Sequence, residues 1–217
     1  MTAAKQPRSL TVLGSTGSVG CNTLDLVARA PERFEVEALT AGRNVALLAE
    51  QARAVGAKLA VIADEAGYGE LKARLAGTKI AVAAGQAAVS EAADRPAELV
   101  MSAIVGVAGL PSTLTAIRRG ACVAFASKEC LVSAGPLMMA EIARCGATLL
   151  PVDSEHNAIF QALEERNRGA VEKIVLTASG GPFRTATHDE MAKATPEVAR
   201  KHPVWAMAPR SASIPRR

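Results

Sequence analysis

Over roughly the first 150 residues, short apolar runs alternate with longer segments of helical spacing, and few folds accommodate that order. The apolar runs lie at 10–14, 35–41, 58–63, 79–83, 98–104, 121–126 and 147–152. Helical patterns fill the gaps, at about 19–30, 45–55, 66–75, 85–92, 109–119 and 130–145. This alternation predicts a doubly wound parallel sheet of the α/β class. Hydrophobic residues make up 49% of the 217 residues but aromatics only 3%, so alanine, valine and leucine must build the core, as suits a sheet covered on both faces. A further helix is expected at about 155–165 and a strand at about 172–178. From Gly180 the chain turns polar, and Pro182, Pro196, Pro203, Pro209 and Pro215 punctuate it. The pattern predicts one domain over 1–150 and the start of a second α/β domain near Pro151.

The first apolar run ends in Gly14-Ser-Thr-Gly-Ser-Val-Gly20, and a helical stretch, Thr23 to Ala30, follows. A strand, a glycine turn and a helix in that order let backbone N–H groups approach a pyrophosphate at the positive end of a helix, which makes the fold Rossmann-like. The spacing is G-x-x-G-x-x-G, not the commoner G-x-G-x-x-G, and an ordinary strand–helix turn is the alternative. The second apolar run, Glu35 to Gly42, lacks the terminal acid that takes the ribose 2′-hydroxyl of NAD and continues Arg43-Asn44. A cation there would pair with a 2′-phosphate, which favours NADP, unless Arg43 is a solvated loop residue.

Several function classes lose support. No apolar run reaches transmembrane length, and Met1 to Leu10 lacks an apolar signal core, so a cytoplasmic location without membrane contact is expected. The four cysteines, Cys21, Cys122, Cys130 and Cys145, have no metal-ligand spacing and read as small buried hydrophobes in a reducing compartment. The net charge of +4 is local, since Arg210, Arg216 and Arg217 carry three positive charges near the end of the chain. No basic run is interleaved with aromatics, which argues against a nucleic-acid partner.

Residues 147–157 read Ala-Thr-Leu-Leu-Pro-Val-Asp-Ser-Glu-His-Asn. An apolar strand thus delivers Asp153, Ser154 and Glu155 at its carboxyl end, where open α/β sheets bind ligands. In an extended segment Asp153 and Glu155 would point to one side, and two converging carboxylates call for a cation between them. Hard oxygen donors suit Mg²⁺ or Mn²⁺. The alternative is a helix N-cap at Asp153 or Ser154 with Glu155 in the first turn.

Six segments occur in one order: Gly14 to Gly20, Ala41-Gly-Arg-Asn44, Ser127-Lys-Glu129, Pro151 to Gln161, Ser179-Gly-Gly-Pro-Phe183 and His202-Pro-Val-Trp205. Together they resemble the 1-deoxy-D-xylulose 5-phosphate reductoisomerase family over about residues 8–207. The resemblance implies an NADPH-dependent enzyme of non-mevalonate isoprenoid synthesis that needs Mg²⁺ or Mn²⁺, acts on a phosphorylated sugar and is usually a homodimer. It implies that Thr16, Gly17, Ser18 and Val19 line the NADPH phosphates and that Gly42, Arg43 and Asn44 hold the adenosine end. Ser127, where the family usually has Asn, and Glu129 match further cofactor positions. Lys128, Ser154, Ser179 and His202 would contact substrate, Asp153 and Glu155 would bind the metal, and Trp205 would belong to a closing flap. Without those matching neighbours, His202 reads as a loop histidine and Trp205 as a core anchor. Another NADP-dependent dehydrogenase, of homoserine or aldehyde type, and a non-catalytic NADP-binding fragment are the competing readings.

Family members continue after His-Pro-x-Trp approximately as Ser-Met-Gly-Ala-Lys-Ile-Ser-Val-Asp-Ser-Ala-Thr, toward residues that complete the metal and substrate sites. Here the chain reads Met207-Ala-Pro-Arg-Ser-Ala-Ser-Ile-Pro-Arg-Arg217. GC-rich codons for Gly-Ala-Lys-Ile-Ser-Val-Asp-Ser-Ala-Thr, with one G deleted from the first, read Ala-Pro-Arg-Ser-Ala-Ser-Ile-Pro-Arg and then Arg. Residues 208–217 are therefore expected to be an out-of-frame tail, and 151–207 an incomplete catalytic domain with negligible turnover. The DNA beyond codon 207 decides it, since an intact frame in the other phase is required.

Overall fold

The computed structural model describes residues 6–176, 181–199 and 201. The chain divides into two compact units, Met1–Leu163 and Glu164–Arg217. In the first, seven strands form one parallel sheet: β1 Arg8–Leu13, β2 Phe34–Ala41, β3 Leu59–Ile62, β4 Ala81–Ala84, β5 Leu99–Ser102, β6 Cys122–Phe125 and β7 Thr148–Pro151. Their order is β4-β3-β2-β1-β5-β6-β7. Winding runs outward from β1 to β4, then jumps back across the sheet and runs outward again from β5 to β7. The direction reverses between β1 and β5, and a crevice opens at the carboxyl ends of strands at such a point.

Helices cover both faces. On one, α1 Ser18–Arg29, α2 Val45–Ala54 and α3 Tyr68–Arg74 bury Leu24, Val27, Leu48, Ala52 and Leu71 against Leu10, Val12 and Leu39. On the other, α4 Gln86–Asp94, α5 Leu110–Arg118 and α6 Lys128–Cys145 contribute Val89, Ala92, Ile117, Cys130 and Met138. Seven strands and six helices appear where the apolar runs and helical patterns predict them, within three residues at each boundary. The helix α6 contains Pro136, and Ala134 just before it leaves helical geometry (φ −140°). Proline removes one backbone donor and crowds the preceding turn, so the helix kinks there. A last helix, α7 Ser154–Ala162, follows β7.

One irregularity in the sheet has a chemical purpose. The pairing of β1 with β2 slips between Leu10↔Val36 and Thr11↔Ala38, which leaves Glu37 as an extra, bulged residue. The bulge lets Val36 and Leu39, three residues apart, join the same core face. It also turns the Glu37 side chain, 7% exposed, toward Lys58 and Arg95, whose guanidinium lies 3.1 Å away. Burial alone would push the Glu37 carboxyl up. The hydrogen bonds and charges of Lys58 and Arg95 outweigh it and hold the group below the ordinary glutamate value.

The second unit has little regular structure among its described residues. Residues 165–170 form a 3₁₀ segment, and short helices span α8 His188–Ala192 and α9 Pro196–Ala199. Thr187 and Glu190 form a capping box at α8. The strand expected at 172–178 is absent over 172–176, where Ile174, Val175 and Leu176 are exposed, and 177–178 lie outside the described residues. An apolar, β-branched run becomes a strand only when a neighbouring chain segment completes its hydrogen-bond ladder, and none does so for 172–176.

Glu37→Gln is expected to destabilise the fold by about 2 kcal/mol near neutral pH, because Arg95 loses its charged partner and Lys58 one of its two. The contribution of a carboxyl with a depressed pKa is complete above its unfolded value and disappears as pH falls through the folded one. The difference between wild type and variant in urea unfolding should therefore shrink on acidification below the ordinary glutamate range, and a pH-independent difference would contradict it.

Candidate functional site

The carboxyl end of β1 runs into α1 through a turn with no room for side chains at two of its three glycines. A Cβ on Gly14 (φ +83°) would lie 2.8 Å from the Ala103 carbonyl oxygen, at the end of β5. One on Gly20 would lie 2.4 Å from the Gly14 carbonyl oxygen. At Gly17 the nearest atom would be 3.4 Å away, an ordinary contact. The glycine pattern is thus a close main-chain crossing at Gly14 and Gly20, with Gly17 at the helix N-cap.

Thr40, at the end of β2, ties this turn down. Its carbonyl accepts from the N–H groups of Gly14 (3.1 Å) and Ser15 (2.8 Å), and its hydroxyl also accepts from Gly14 (3.0 Å). No side chain caps α1, and its first turn carries no acid. Its leading N–H groups therefore point outward with the positive end of the helix dipole. A cleft of about 290 Å³ opens here, lined by Gly14, Thr16, Gly17 and Gly42 on one side and by Ala103 and Val105 on the other. It sits at the winding reversal between β1 and β5. A larger hollow, about 480 Å³, lies at the amino ends of β3 and β4. Of the cations that line it, Lys58 is engaged by Glu35 and Glu37 and Arg53 by the Arg74 carbonyl, and the hollow does not adjoin the glycine turn.

The residues expected at the adenosine end lie along this rim. A Cβ on Gly42 would meet nothing within 4 Å, so that side of the rim is open. The guanidinium of Arg43 projects into solvent, 85% exposed, with Nε 3.1 Å from Asp64. Asn44 caps α2 by accepting from the Leu47 N–H at 3.1 Å, which leaves its amide N–H₂ to donate. Ser18 is exposed, whereas the Val19 side chain packs on the core, so Val19 can face a phosphate only through its backbone N–H.

The acidic cluster is built differently from an extended pair. Asp153 is the N-cap of α7 and Glu155 stands in that helix's first turn. The extended geometry expected for the two is corrected: a carboxylate directly before a helical run accepts the orphan N–H of His156 (3.1 Å), and the chain coils from Ser154 onward. The His156 ring nitrogen Nδ1 lies 2.7 Å from the same carboxylate. Burial alone would raise the Asp153 carboxyl. The backbone and ring hydrogen bonds of His156, with the charges of His156 and Lys128, outweigh it and keep the carboxyl below its ordinary value. Lys128, the first residue of α6, brings its ammonium within 3.6 Å of Glu155. Ser154 is exposed at the first position of α7.

A chain of contacts joins the two clusters along the sheet edge. Ala103 abuts Gly14. The segment after it carries Gly106, whose carbonyl accepts from the buried Ser127 hydroxyl at 3.1 Å. Ser127 precedes Lys128, and its hydroxyl also lies 3.4 Å from Glu129. Ser179, His202 and Trp205 lie outside the described residues. Among the described residues no three His, Cys, Asp or Glu side chains group as a metal site, and no helix is long and apolar enough to cross a membrane.

Residues 10–135 match the family model described as 1-deoxy-D-xylulose 5-phosphate reductoisomerase, and residues 149–214 match the model of that enzyme's C-terminal domain. The chain belongs to the 1-deoxy-D-xylulose 5-phosphate reductoisomerase family. It is 63% identical over 200 residues to the reductoisomerase of Rhodospirillum centenum, covering 92% of this chain and 50% of that one. With the Rhizobium meliloti enzyme it is 62% identical, covering 92% and 52%. The chain thus spans about half the length of the curated relatives it matches. Among solved structures, the Zymomonas mobilis reductoisomerase in complex with NADPH superposes with a TM-score of 0.87 at 56% identity, over 91% of this chain and 52% of that one. A DOX-P reductoisomerase in complex with NADPH, fosmidomycin and magnesium gives 0.81 at 35% identity, over 93% and 52%.

The glycine turn lies between β1 and α1, where the sequence pattern expects it, but its supports, Thr40 and Ala103, and the His156 partner of Asp153 were not legible there. Thr40 sits in an apolar strand like any buried β-branched residue, and only strand order brings Ala103 to Gly14. The contact geometry separates the glycines experimentally. Gly20→Ala should cost about 3 kcal/mol, because backbone must move to admit the methyl. Gly17→Ala should stay within about 1 kcal/mol. Denaturant unfolding of both variants measures this, and equal costs would contradict it.

Proposed function

We propose that this chain carries the NADPH-binding half, and the first metal and substrate groups, of the reaction that rearranges and reduces 1-deoxy-D-xylulose 5-phosphate to 2-C-methyl-D-erythritol 4-phosphate. Residues 1–150 make the nucleotide domain and 151–207 begin the catalytic one, with 208–217 as an out-of-frame tail. The observation that carries this reading is the uncapped α1 N-terminus and the two side-chain-free glycines at the winding reversal. A Cβ-free cradle at a helix N-terminus fits a dinucleotide pyrophosphate. Oxygen donors on Asp153 and Glu155 fit Mg²⁺ or Mn²⁺, which proteins hold by one or two carboxylates with the remaining positions left to water and substrate.

When bound, NADPH supplies the hydride and the divalent ion polarises the substrate's carbonyl oxygen. The chain's own residues place the reactants. The N–H groups at the start of α1 orient the pyrophosphate, with Thr16, Gly17, Ser18 and Val19 lining it. Arg43 holds the 2′-phosphate, with Gly42 and Asn44 beside it, while Ser127 and Glu129 supply further cofactor contacts. The Lys128 ammonium, already beside Glu155, donates to a substrate oxygen that gains negative charge. Ser154 donates to a substrate hydroxyl, and His156 keeps Asp153 ionised and oriented. Substrate contact by Ser179, His202 and Trp205, and assembly with a second copy of the chain, belong to the same proposal.

A second reading, a non-catalytic NADP-binding unit, is favoured by one observation: no group of three or more His, Cys, Asp or Glu side chains that could hold a metal forms among the described residues. Turnover separates the two. Robust metal-dependent NADPH oxidation with the pentulose phosphate would remove the second reading.

Arg43→Ala should weaken NADPH binding about tenfold or more and leave NADH binding nearly unchanged, because only the former carries the 2′-phosphate. Cofactor fluorescence titration checks this, and equal losses for both nucleotides would contradict the role of Arg43. Asp153→Asn keeps a good helix cap while removing the charge, so its melting temperature should stay near wild type. Its Mn²⁺ affinity, read from the free-ion EPR signal, should fall at least tenfold.

A further inference from the structure

Gln51 lies in the last turn of α2 and reaches across to the glycine turn 36 residues earlier. Its Nε2 donates to the Ser15 carbonyl at 3.0 Å and lies 3.5 Å from Sγ of Cys21. The Cys21 thiol points at the same carbonyl, at 3.6 Å. Ser15 is completely buried, and its N–H is already held by the Thr40 carbonyl. Its main chain is therefore gripped on both sides, by β2 at the N–H and by α2 at the C=O.

The grip has a geometric consequence. The Ser15 carbonyl and the Thr16 N–H belong to one peptide plane, and no peptide bond among the described residues is cis. In a trans peptide the two groups point in opposite directions. With the carbonyl drawn toward α2, the Thr16 N–H must point away from α2, and Thr16 lines the cleft. We propose that Gln51 is a positioning residue for the cofactor: through the Ser15 carbonyl it aims the Thr16 N–H at the dinucleotide pyrophosphate. The proposal rests on the NADP reading above. A role in packing alone does not account for the residue. Among the described residues its buried Oε1 has no hydrogen-bond partner, a cost that leucine or methionine would avoid.

The test uses the whole chain and two ligands that share the 2′-phosphate but differ in the pyrophosphate, NADPH and 2′-AMP. Gln51→Met keeps length and removes the donor, and Gln51→Glu places an acceptor against the carbonyl. Both variants should bind NADPH about tenfold more weakly, the loss of one hydrogen bond to a charged group, and bind 2′-AMP like wild type. Thermal unfolding identifies the variant that is folded, and that variant decides. NADPH affinity equal to wild type, or equal losses for NADPH and 2′-AMP, would overturn the proposal and leave the NADP reading standing. Failure of the wild-type chain to bind either ligand would instead overturn the NADP reading, and the role of Gln51 with it.

Discussion

At the end of β1 three pieces of main chain meet with no side chain between them: the Gly14 turn, the first turn of α1 at Gly20 and the end of β5 at Ala103. Most of the molecule's functional geometry follows from that contact. It sets how closely the start of α1 approaches the sheet at the carboxyl ends of the strands. It also seats the turn where the winding reverses. Larger residues at Gly14 or Gly20 would push strand and helix apart, and the cleft between β1 and β5 would lose one wall. Thr40 and Gln51 hold the same turn from outside, so that the turn is fixed by neighbours in sequence and in space alike.

Polar groups elsewhere are placed by a similar economy of main-chain partners. Asn44 and Asp153 each satisfy a helix N-terminus with a side-chain oxygen, whereas no side chain among the described residues caps α1. Asp153 carries two duties. One oxygen accepts from the His156 backbone, and the ring of His156 approaches the carboxylate from the side. Both interactions favour the ionised form, which is the form that binds a cation. The Glu37 bulge shows the same logic inside the sheet, since an extra residue in the ladder gives a buried carboxylate access to two cations.

Strand and helix positions were readable because burial on both faces demands unbroken apolar runs in strands and one apolar stripe in helices. The glycine turn was readable because few residues other than glycine tolerate such close crossings. Arg43 draws attention in the sequence because it stands where NAD-binding units carry an acid. For Asp153 and Glu155 the sequence left two backbones open, an extended pair and a helix cap, because an acid before an apolar run is equally a strand end and a helix cap, and the structure has the cap. The segment 172–176 reads as a strand and is not one, since a strand depends on its partner's backbone and not on its own side chains.

Local periodicity and the glycine spacing were enough to assign the α/β class and the strand, glycine turn and helix at Gly14–Gly20, because these depend on residues close in the chain. The strand order, the wall supplied by Ala103, the grip of Thr40 and Gln51 on Ser15, and the pairing of Lys128 with Glu155 emerged on folding. Each joins groups from separate elements, and no spacing in the chain encodes which elements become neighbours once the sheet is wound.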